Sequence, residues 1–367
     1  MKSIINQYFL LLILSVNSTC CIAQQILPMG NGMGINGDVR MVKADQHRLF
    51  VSGYFTSATG ITTRNIAYRN VAGWHGMGSG ISGTANDVEV TGTDVFVGGY
   101  YTAIDQPDVR NIGRWDGNMW HSLGNGIPSG SVSGLAYYQN KLFVVGSFEK
   151  AGDSIVNGAA IWDGSEWTPG IINSTASKAD LFVHENALYL VTTSNSSSAY
   201  YCGLFRYNGM EFDSVCGINT GYGYSGVTYL NDTLILQTGE GIYTFDGISL
   251  NTKFSAPFDM SIKGAFVIND SLYVITEQEE FAVCYLHNST LSAPLVTFAS
   301  FQESNFIDAE ILACDVLDND AYIGGNFAYA NNKQCLSLCE YDGNSPSAGG
   351  WFTIGYYDSW QNVNVIS

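Results

Sequence analysis

The sequence predicts an all-β protein, a seven-bladed β-propeller of four-stranded antiparallel blades. Three observations predict this fold. A pattern of four short strands recurs seven times along the chain, its tight connections carry Asp-Gly or Asn-Gly pairs, and glycine accounts for 41 of 367 residues whereas only 13% are charged. Surface helices would need more Glu, Lys and Ala than this composition supplies. A repeat of about 46 residues with four strands is typical of a propeller blade.

Each repeat contains one strongly apolar strand, which we name strand b. The b strands start at Leu49, Val95, Leu142, Leu188, Leu234, Leu272 and Ala321. Successive starts are between 38 and 49 residues apart. Such periods fill nearly all of residues 24–367, so we predict that this range is a single propeller domain.

Three further strands are placed around each b strand. Strand a precedes it and ends at an Asn-containing turn, namely Asn140-Lys141, Asn231-Asp232, Asn269-Asp270 or Asn319-Asp320. Strand c ends at a turn such as Asp116-Gly117, and strand d then carries an aromatic residue such as Trp120. Asn, Asp and Gly tolerate positive φ, which makes these pairs strong hairpin signals.

Two short segments are left over at the ends of the repeat array. Residues 25–30 resemble a strand d, and residues 362–366 resemble a strand a. They predict either a ring that both ends of the chain close together, or an eighth, incomplete blade, or a truncated chain.

The first 23 residues resemble a secretory signal peptide. Lys2 supplies a positive charge, residues 8–16 form an apolar run, and Cys21-Ile22-Ala23 provides small residues before Gln24. The run is too short to span a bilayer. We therefore expect a secreted or cell-surface protein that is not inserted in the membrane after cleavage. A buried amino-terminal strand and a lipoprotein anchor at Cys20 or Cys21 are the alternatives.

The charge balance excludes two classes of partner. Fifteen basic residues against 33 acidic ones give a net charge of −18. A nucleic-acid-binding protein needs a basic surface, and an acidic protein is repelled by anionic membranes. The expected partner is therefore a protein or a glycan.

Cysteine usage fits an oxidising compartment. Cleavage after residue 23 would leave six cysteines, an even number that permits disulfides. Cys202 and Cys216 flank the Asn208-Gly209 turn almost symmetrically, which favours a cross-strand bridge between them. The cysteine and histidine spacings match no metal-binding pattern.

The repeat resembles a known family. Glycine at the end of strand b is followed by an aromatic residue in strand c and a Trp in strand d. The sets are Gly53, Tyr68, Trp74; Gly99, Trp115, Trp120; and Gly146, Trp162, Trp167. This pattern is similar to kelch-type propellers, and its longer form resembles secreted bacterial propeller proteins and Rax2-like extracellular propellers. The resemblance covers about half of the mature chain and implies a fold rather than an activity.

The sequence predicts no catalytic residue, metal or cofactor. Kelch-type relatives include copper radical oxidases, whose copper needs two His, two Tyr and a Cys linked to Tyr. His75 and His121 occupy one repeat position, just after the Trp of strand d, where we expect them to face solvent. The chain also lacks the Gly-x-Ser-x-Gly turn of many serine hydrolases.

The connections between strands b and c, and between d and a, are longer and more variable than the others. They emerge on one face of a propeller, and variable loops on a rigid scaffold commonly bind partners. The binding residues predicted on this face are Tyr54, Arg64, Tyr100, Tyr101, Asp105, Asp108 and Arg110. The alternative is that Tyr54 and Tyr100 pack between blades while Asn65 and Asn111 cap loop backbone.

Three functions are consistent with these features. The first is a non-catalytic secreted or surface-associated scaffold that binds a protein or a glycan. The second is an extracytoplasmic glycan-active enzyme, a hydrolase or lyase, with its site where the loops meet the central channel. Convergent acidic side chains with a basic partner would favour the enzyme, and aromatic residues without them would favour binding. The third is a structural module of a larger assembly.

Overall fold

The structure is a computed structural model that describes residues 35–45, 47–58, 60–170, 178–196, 199–220, 223–278, 280–299, 309–327, 329–330, 333–334, 337–341 and 351–353. The expected signal segment, residues 25–30, residues 362–366 and Cys335 lie outside the described residues. Strands and turns account for the regular structure, and the described residues include no helix that could cross a bilayer.

Blades 1 to 3 follow one another along the first part of the chain. Blade 1 comprises β1 (Asp38–Ala44), β2 (Leu49–Tyr54), the small hairpin β3 (Ser57–Ala58) and β4 (Ile61–Thr62), β5 (Ile66–Asn70) and β6 (Gly73–Gly76). Blade 2 comprises β7 (Ile81–Thr91), β8 (Asp94–Ala103), β9 (Arg110–Trp115) and β10 (Trp120–His121). Blade 3 comprises β11 (Ser131–Tyr138), β12 (Lys141–Ser147), the hairpin β13 (Lys150–Ala151) and β14 (Ser154–Ile155), β15 (Ala159–Trp162) and β16 (Trp167–Pro169).

Blades 4 to 7 repeat the same antiparallel order. Blade 4 comprises β17 (Lys178–His184), β18 (Ala187–Ser196), β19 (Ala199–Tyr207) and β20 (Phe212–Thr220). Blade 5 comprises β21 (Tyr224–Leu230), β22 (Thr233–Thr238), β23 (Gly241–Phe245) and β24 (Leu250–Ser255). Blade 6 comprises β25 (Ser261–Ile268), β26 (Ser271–Glu277), β27 (Phe281–His287), the short β28 (Thr290–Leu291) and β29 (Val296–Ala299). Blade 7 comprises β30 (Glu310–Leu317), β31 (Asp320–Asn326), the hairpin β32 (Tyr329–Ala330) and β33 (Lys333–Gln334), β34 (Leu338–Tyr341) and β35 (Trp351–Thr353).

The seven blades, each built on four antiparallel strands, confirm the predicted all-β propeller. Every predicted b strand is the second strand of its blade. The hairpin β32–β33 of blade 7 additionally pairs with β29, so it extends the outer edge of blade 6. Each blade takes its four strands from one continuous segment, so no described blade is shared between the two ends of the chain.

The tight turns lie between strands a and b and between strands c and d. At the a–b turns of blades 3 to 7 two consecutive residues have positive φ, as at Asn231 (48°) and Asp232 (60°). This is the backbone of a type I′ hairpin, whose twist matches that of the strands. At the c–d turns the first Asx side chain accepts backbone N–H groups, as Asp116 Oδ1 does from Asn118 and Met119, both at 2.8 Å.

The glycine pair at the end of strand b is required by two close approaches. A Cβ atom on Gly98 would collide with the side chain of Val132 in the inner strand of blade 3. A Cβ atom on Gly99 would collide with the carbonyl oxygen of Thr84 in the neighbouring strand of its own blade. The repeated glycines thus let strands and blades pack at backbone distance.

The regular spacing of Trp within these repeats also has a structural cause. The indole N–H of Trp120 donates to the carbonyl of Met77, 3.0 Å away in the link that leads from blade 1 to blade 2. The indole N–H of Trp167 donates in the same way to Leu123, 2.7 Å away in the next link. Trp120 and Trp167 therefore tie their blades to the connections that precede them while their rings are buried, whereas the indole N–H of the equivalent Trp74 is buried without a hydrogen bond in the described part of the chain.

The ring closes by contact between blade 7 and blade 1. Val39 and Val42 of β1 pack in one buried cluster with Leu317 and Tyr322 of blade 7. The backbone N–H of Ala44 donates to Asp315 Oδ2 at 2.7 Å.

Arg69 of blade 1 adds a second polar link across this closing interface. Its guanidinium donates to the hydroxyl of Tyr322 at 3.0 Å and lies 4.0 Å from the carboxylate of Glu340. Apolar packing and hydrogen bonds together hold the first and last blades in contact.

The expected Cys202–Cys216 bridge is not formed. Both residues are free thiols, as are Cys284 and Cys314. A bulge between Leu204 and Phe205 pairs Cys202 with Ile218 and Cys216 with Leu204. The two cysteines are diagonal neighbours rather than a directly opposed pair, so the symmetry of the turn misled the sequence argument.

Candidate binding surface and channel

The predicted binding residues lie on the face formed by the b–c and d–a connections, at blades 1 and 2. Tyr54 and Tyr100 each follow the last glycine of strand b, Gly53 in β2 and Gly99 in β8. Their side chains are 53% and 67% exposed. The alternative that they pack between blades is wrong. They occupy equivalent positions on adjacent blades, so the ring presents two aromatic side chains to solvent on one face.

Tyr54 is supported by a cation. The guanidinium carbon of Arg40, in β1, lies 4.9 Å from the centre of the Tyr54 ring. An arginine over an aromatic face is a favourable contact even at an exposed site. Arg40 was not among the residues predicted for this surface, and its position next to Tyr54 follows from the antiparallel pairing of β1 with β2.

Tyr101 has a different role from the one predicted. Its side chain is only 3% exposed, and its hydroxyl donates to the carbonyl of Val97 at 2.8 Å. Burial raises the pKa of this hydroxyl well above its usual value. A buried and hydrogen-bonded ring cannot reach a partner, so the binding prediction for Tyr101 is wrong, and Tyr101 is a core residue beneath the surface.

Two asparagines fix the backbone under the exposed tyrosines. Asn65 and Asn111 have φ of 62° and 59° and begin strand c. Their Oδ1 atoms accept the N–H groups of Phe55 and Tyr101, each at 3.1 Å. The alternative prediction that these asparagines cap loop backbone is therefore confirmed.

Arg64 and Asp105 both accept hydrogen bonds at the connection between blades 1 and 2, where β6 leads into β7. Both side chains are exposed. The carbonyl of Arg64 accepts the N–H of Ile81 at 2.9 Å, and Asp105 Oδ2 accepts the N–H of Ser79 at 2.5 Å. Hydrogen bonds from the hydroxyl and N–H of Ser79 lower the pKa of Asp105 below its usual value. The link thus brings together two predicted residues from different blades.

Asp108 and Arg110 complete the predicted set on the b–c loop of blade 2. Both are exposed, and Arg110 Nε donates to the carbonyl of Pro107 at 3.0 Å. We name the exposed residues Tyr54, Arg64, Tyr100, Asp105, Asp108 and Arg110 the tyrosine face. Its aromatic and arginine side chains are of the types that dominate binding energy at interfaces.

A second polar group lies in the central channel, where sequence reasoning predicted no particular residues. We name it the channel cluster, and its members come from the inner strands of four blades: Lys43, Asp87, Glu89, Asp180 and Asp315. Lys43 Nζ lies 3.1 Å from Asp87 Oδ1. The channel cluster combines convergent carboxylates with one cation.

All four carboxylates of the channel cluster accept a hydrogen bond from a backbone N–H group. Asp87 accepts from Val88 at 2.9 Å and from Leu135 of the next blade at 2.8 Å. Asp315 accepts from Val316 at 2.8 Å and from Ala44 of the next blade. These two aspartates therefore tie the inner strand of one blade to that of the next.

Asp180 also accepts from a side chain, and Glu89 accepts one backbone N–H group of the next blade. Asp180 Oδ1 accepts from Leu181 at 2.8 Å, and its Oδ2 accepts the hydroxyl proton of Tyr224 at 2.9 Å. Glu89 Oε1 accepts the N–H of Tyr137 at 3.0 Å.

Burial and mutual repulsion set the protonation of the channel cluster. Asp87 raises the pKa of Lys43, although 40% of the lysine side chain is exposed to the channel. Burial raises the pKa of Asp180 and Asp315 above the usual value, and it raises that of Glu89 to about 7. Glu89 therefore titrates near neutral pH. Among the described residues, no group of three or more His, Cys, Asp or Glu is arranged to hold a metal ion.

Comparison with known proteins shows the fold and no family. No family model and no curated protein sequence matches the chain. An extracellular domain assigned to a hybrid two-component system of B. thetaiotaomicron matches with a TM-score of 0.51 and 11% identity, over 82% of this chain and 39% of that one. A second structure, assigned to a one-component system of the same organism, matches with a TM-score of 0.54 and 9% identity, over 81% and 39%.

The chain spans about two fifths of the length of these two structures. An acylaminoacyl peptidase complex also matches, with 10% identity over 83% of this chain and 51% of that one, but its TM-score is 0.45, too low to bear on fold or function. At these identities the likeness shows the fold alone.

Proposed function

We propose that this protein is a secreted or cell-surface scaffold that binds a protein or a glycan without chemical conversion, and that the tyrosine face makes the contact. The observation that carries the proposal is the pair of exposed tyrosines at equivalent positions of adjacent blades. Large exposed aromatic side chains rimmed by charged residues mark interaction sites more often than chance surface positions.

The rigidity of the scaffold supports this proposal. Asn65 and Asn111 lock the loops beneath both tyrosines through side chain to backbone hydrogen bonds. A surface that is ordered before binding loses less conformational entropy when its partner arrives. The tyrosines themselves have few rotatable bonds, which lowers the entropic cost of the contact further.

The proposed location outside the cytoplasm rests on two supports. The first 23 residues have the composition of a signal peptide, and two structures with this fold are described as extracellular domains. Kinship with the kelch-type and Rax2-like propellers remains part of the proposal, because it depends on the glycine and Trp spacing alone.

Binding to glycan and surface-protein arrays tests the proposal. The mature chain should give saturable binding to at least one arrayed ligand, and the double variant Tyr54→Ala/Tyr100→Ala should weaken it by about tenfold or more. The matched control is Val71→Ala/Ile248→Ala, which removes two exposed apolar side chains from c–d turns on the opposite face. Equal loss in both double variants, or no saturable binding at all, would contradict the proposal.

A glycan-active enzyme is the second candidate, and the channel cluster is the observation that favours it. Glu89, with a pKa of about 7, stands with Lys43 and Asp87 in the channel. A carboxylic acid that is protonated near neutral pH can act as a general acid. Incubating the purified chain with the arrayed glycans tests this candidate, which requires turnover that Glu89→Gln abolishes. Absence of turnover in the unaltered chain rejects it.

A further inference from the structure

A pocket of about 410 Å³ opens between blades 2 and 3. Residues of the a–b and c–d turns line its mouth, among them Asp94, Asn140 and Asp163. It therefore lies on the face opposite the b–c and d–a loops that carry the tyrosine face. The volume is in the range of small-ligand pockets.

Aromatic rings form part of the walls. Phe96 of blade 2 and Tyr137 of blade 3 face each other with ring centres 6.2 Å apart and planes within 13° of parallel. Trp162 of β15 also lines the pocket and is only half-buried. Flat apolar surfaces from two blades thus enclose the space between them.

Polar groups held by partners form the remaining wall. Arg114 Nη1 lies 2.8 Å from Asp94 Oδ1, and His121 Nε2 lies 2.6 Å from Asp116 Oδ2. Phe96, Arg114 and His121 are directly opposite one another across β8, β9 and β10, so they form one row on the face of blade 2. The expectation that His121 simply faces solvent is wrong, because its side chain is only 34% exposed and lines this pocket.

The charges of the pocket disfavour an anionic ligand. The positive charge of Arg114 is matched by Asp94, and Asp163 adds a further carboxylate. Backbone hydrogen bonds from Glu166 and Ser165 lower the pKa of Asp163, which keeps it ionised. Asn140 also lines the pocket, and its side chain makes no hydrogen bond within the described part of the chain. The pocket therefore offers carboxylate and amide groups that can bond hydroxyl groups of an uncharged molecule.

The same row in blade 1 is built differently and serves as an internal comparison. There Phe50, Tyr68 and His75 are opposite one another. The Tyr68 ring stacks on His75 with centres 5.0 Å apart and lies 5.8 Å from Phe50. In blade 2 the position of Tyr68 is taken by Arg114, which turns to Asp94 and does not stack on the histidine in this way.

We propose that the pocket between blades 2 and 3 binds one neutral pyranose unit of a glycan. A pyranose has a face of C–H groups, which suits the rings of Trp162 and Tyr137, and an edge of hydroxyls, which suits Asp94, Asn140 and His121. This inference deepens the proposed function. It rests on one part of that proposal, namely that the chain is a binding protein. It assigns a glycan site to a surface distinct from the tyrosine face.

Saturation-transfer NMR and tryptophan fluorescence with defined sugars test the site. The probes are the methyl glycosides of glucose, galactose, mannose and N-acetylglucosamine, with glucuronic acid and glucose 6-phosphate as anionic counterparts. We expect at least one neutral probe to bind with a Kd of about 1 mM or tighter. The two anionic probes should bind about tenfold more weakly than the best neutral probe, or not at all.

Two substitutions locate the binding. Arg114→Tyr rebuilds the row of blade 1 and should abolish binding by filling the pocket. Asn140→Gly removes a lining side chain, keeps the positive φ of 61°, and should weaken binding by about tenfold. The matched control is Asn186→Gly, which makes the same change at φ 61° in the a–b turn of blade 4. If Arg114→Tyr does not fold, the comparison of Asn140→Gly with Asn186→Gly still decides whether the sugar binds in this pocket.

Several outcomes overturn the inference: no neutral probe binds, the anionic probes bind more tightly, or Asn140→Gly and Asn186→Gly have equal effects. The variant Tyr54→Ala/Tyr100→Ala separates this inference from the proposed function. Sugar binding that survives in that variant supports an independent site. Sugar binding that disappears with the tyrosines, while Asn140→Gly leaves it unchanged, assigns it to the tyrosine face and overturns the inference.

Discussion

Glu89 shows how one buried carboxyl group couples the propeller to pH. Burial raises its pKa from the usual 4.5 to about 7 in the folded chain. The folded state therefore holds the proton more tightly than the unfolded state does between these two pH values. The stability from this group is complete below about pH 4.5 and is lost as the pH rises through 7.

Replacing Glu89 should change that pH dependence. Glu89→Gln keeps an oxygen that can accept the N–H of Tyr137 but cannot ionise. At pH 8 we expect the variant to gain up to roughly 3 kcal/mol in free energy of unfolding over the unaltered chain, and little at pH 4. Urea denaturation at both pH values measures this, with the exposed Glu166→Gln as control. A gain that is equal at the two pH values would contradict the assignment.

Tyr100 and Tyr101 show how far the exposure of a single side chain can be predicted from the sequence. The sequence placed both in a loop, but only Tyr100 is exposed. Neighbouring residues of an extended strand point to opposite faces, so the two side chains point in opposite directions, and that of Tyr101 enters the core. Which of the two is buried depends on how the loop folds back over the sheet. The hydrogen bond from the Tyr101 N–H to Asn111 fixes that fold, and no residue next to Tyr101 in the sequence predicts it.

Asn111 controls a whole strand connection in blade 2. It accepts from Tyr101 and donates through Nδ2 to the carbonyl of Ile127 at 2.9 Å. We expect Asn111→Gly to lose about 1–2 kcal/mol through these hydrogen bonds. Asn111→Ala should lose about 1 kcal/mol more, because its φ of 59° strains a residue with a Cβ. Thermal and urea unfolding measure both.

Asn157 provides the matched control for that experiment. It has a φ of 50°, is exposed, and its side chain makes no hydrogen bond within the residues that the structure describes. Substitution of Asn157 by Gly should be nearly neutral, while substitution by Ala should show only the strain. Equal losses for Asn111→Gly and Asn157→Gly would mean that the Asn111 hydrogen bonds contribute nothing.

The turns show how far sequence predicts the elements. The pairs Asn231-Asp232 and Asn269-Asp270 have positive φ at both residues, as predicted. The predicted pairs Asn140-Lys141 and Asn319-Asp320 are displaced by one residue, to Gln139-Asn140 and Asp318-Asn319. The reason is that strand register decides which two residues occupy the turn, and any pair containing one Asn satisfies the local preference.

Closure of the ring depends on Asp315 at the scale of the whole molecule. Both of its oxygens accept backbone N–H groups, one of them from Ala44 of blade 1. In Asp315→Asn one acceptor becomes an NH₂ group that faces a donor. We expect a loss of about 1–3 kcal/mol in free energy of unfolding, measured in urea. The exposed Asp108→Asn is the control, and a loss no larger than that of the control would contradict a role in closure.

The excess of acidic residues should make stability depend on salt. A net charge of −18 leaves the compact state with self-repulsion, which counterions screen. Raising NaCl from about 10 mM to about 150 mM should increase the Tm by a few degrees. A fall in Tm would show instead that ion pairs such as Lys43–Asp87 outweigh the repulsion.

The ring itself was predictable from the sequence, and the channel cluster was not. Regular spacing of the b strands and turn residues predicts repeats, and repeats with four strands predict blades. Lys43, Asp87, Asp180 and Asp315 belong to four different blades and come together only when the ring has closed. Within any single repeat, each is one charged residue in an alternating strand. The pocket beside Arg114 could not be predicted from the sequence for the same reason, because residues of two blades form it.

Because each blade takes its four main strands from one continuous segment, each repeat carries the hydrogen bonds of its own four-stranded sheet, to which blade 6 adds the hairpin β32–β33 of blade 7. Duplication or deletion of one repeat by recombination would therefore leave the other sheets intact. What such an event disturbs is the wedge angle between blades and the Ala44–Asp315 contact. We therefore expect chains with one repeat more or fewer to form every blade and to lose stability mainly at the interface between the first and last blades.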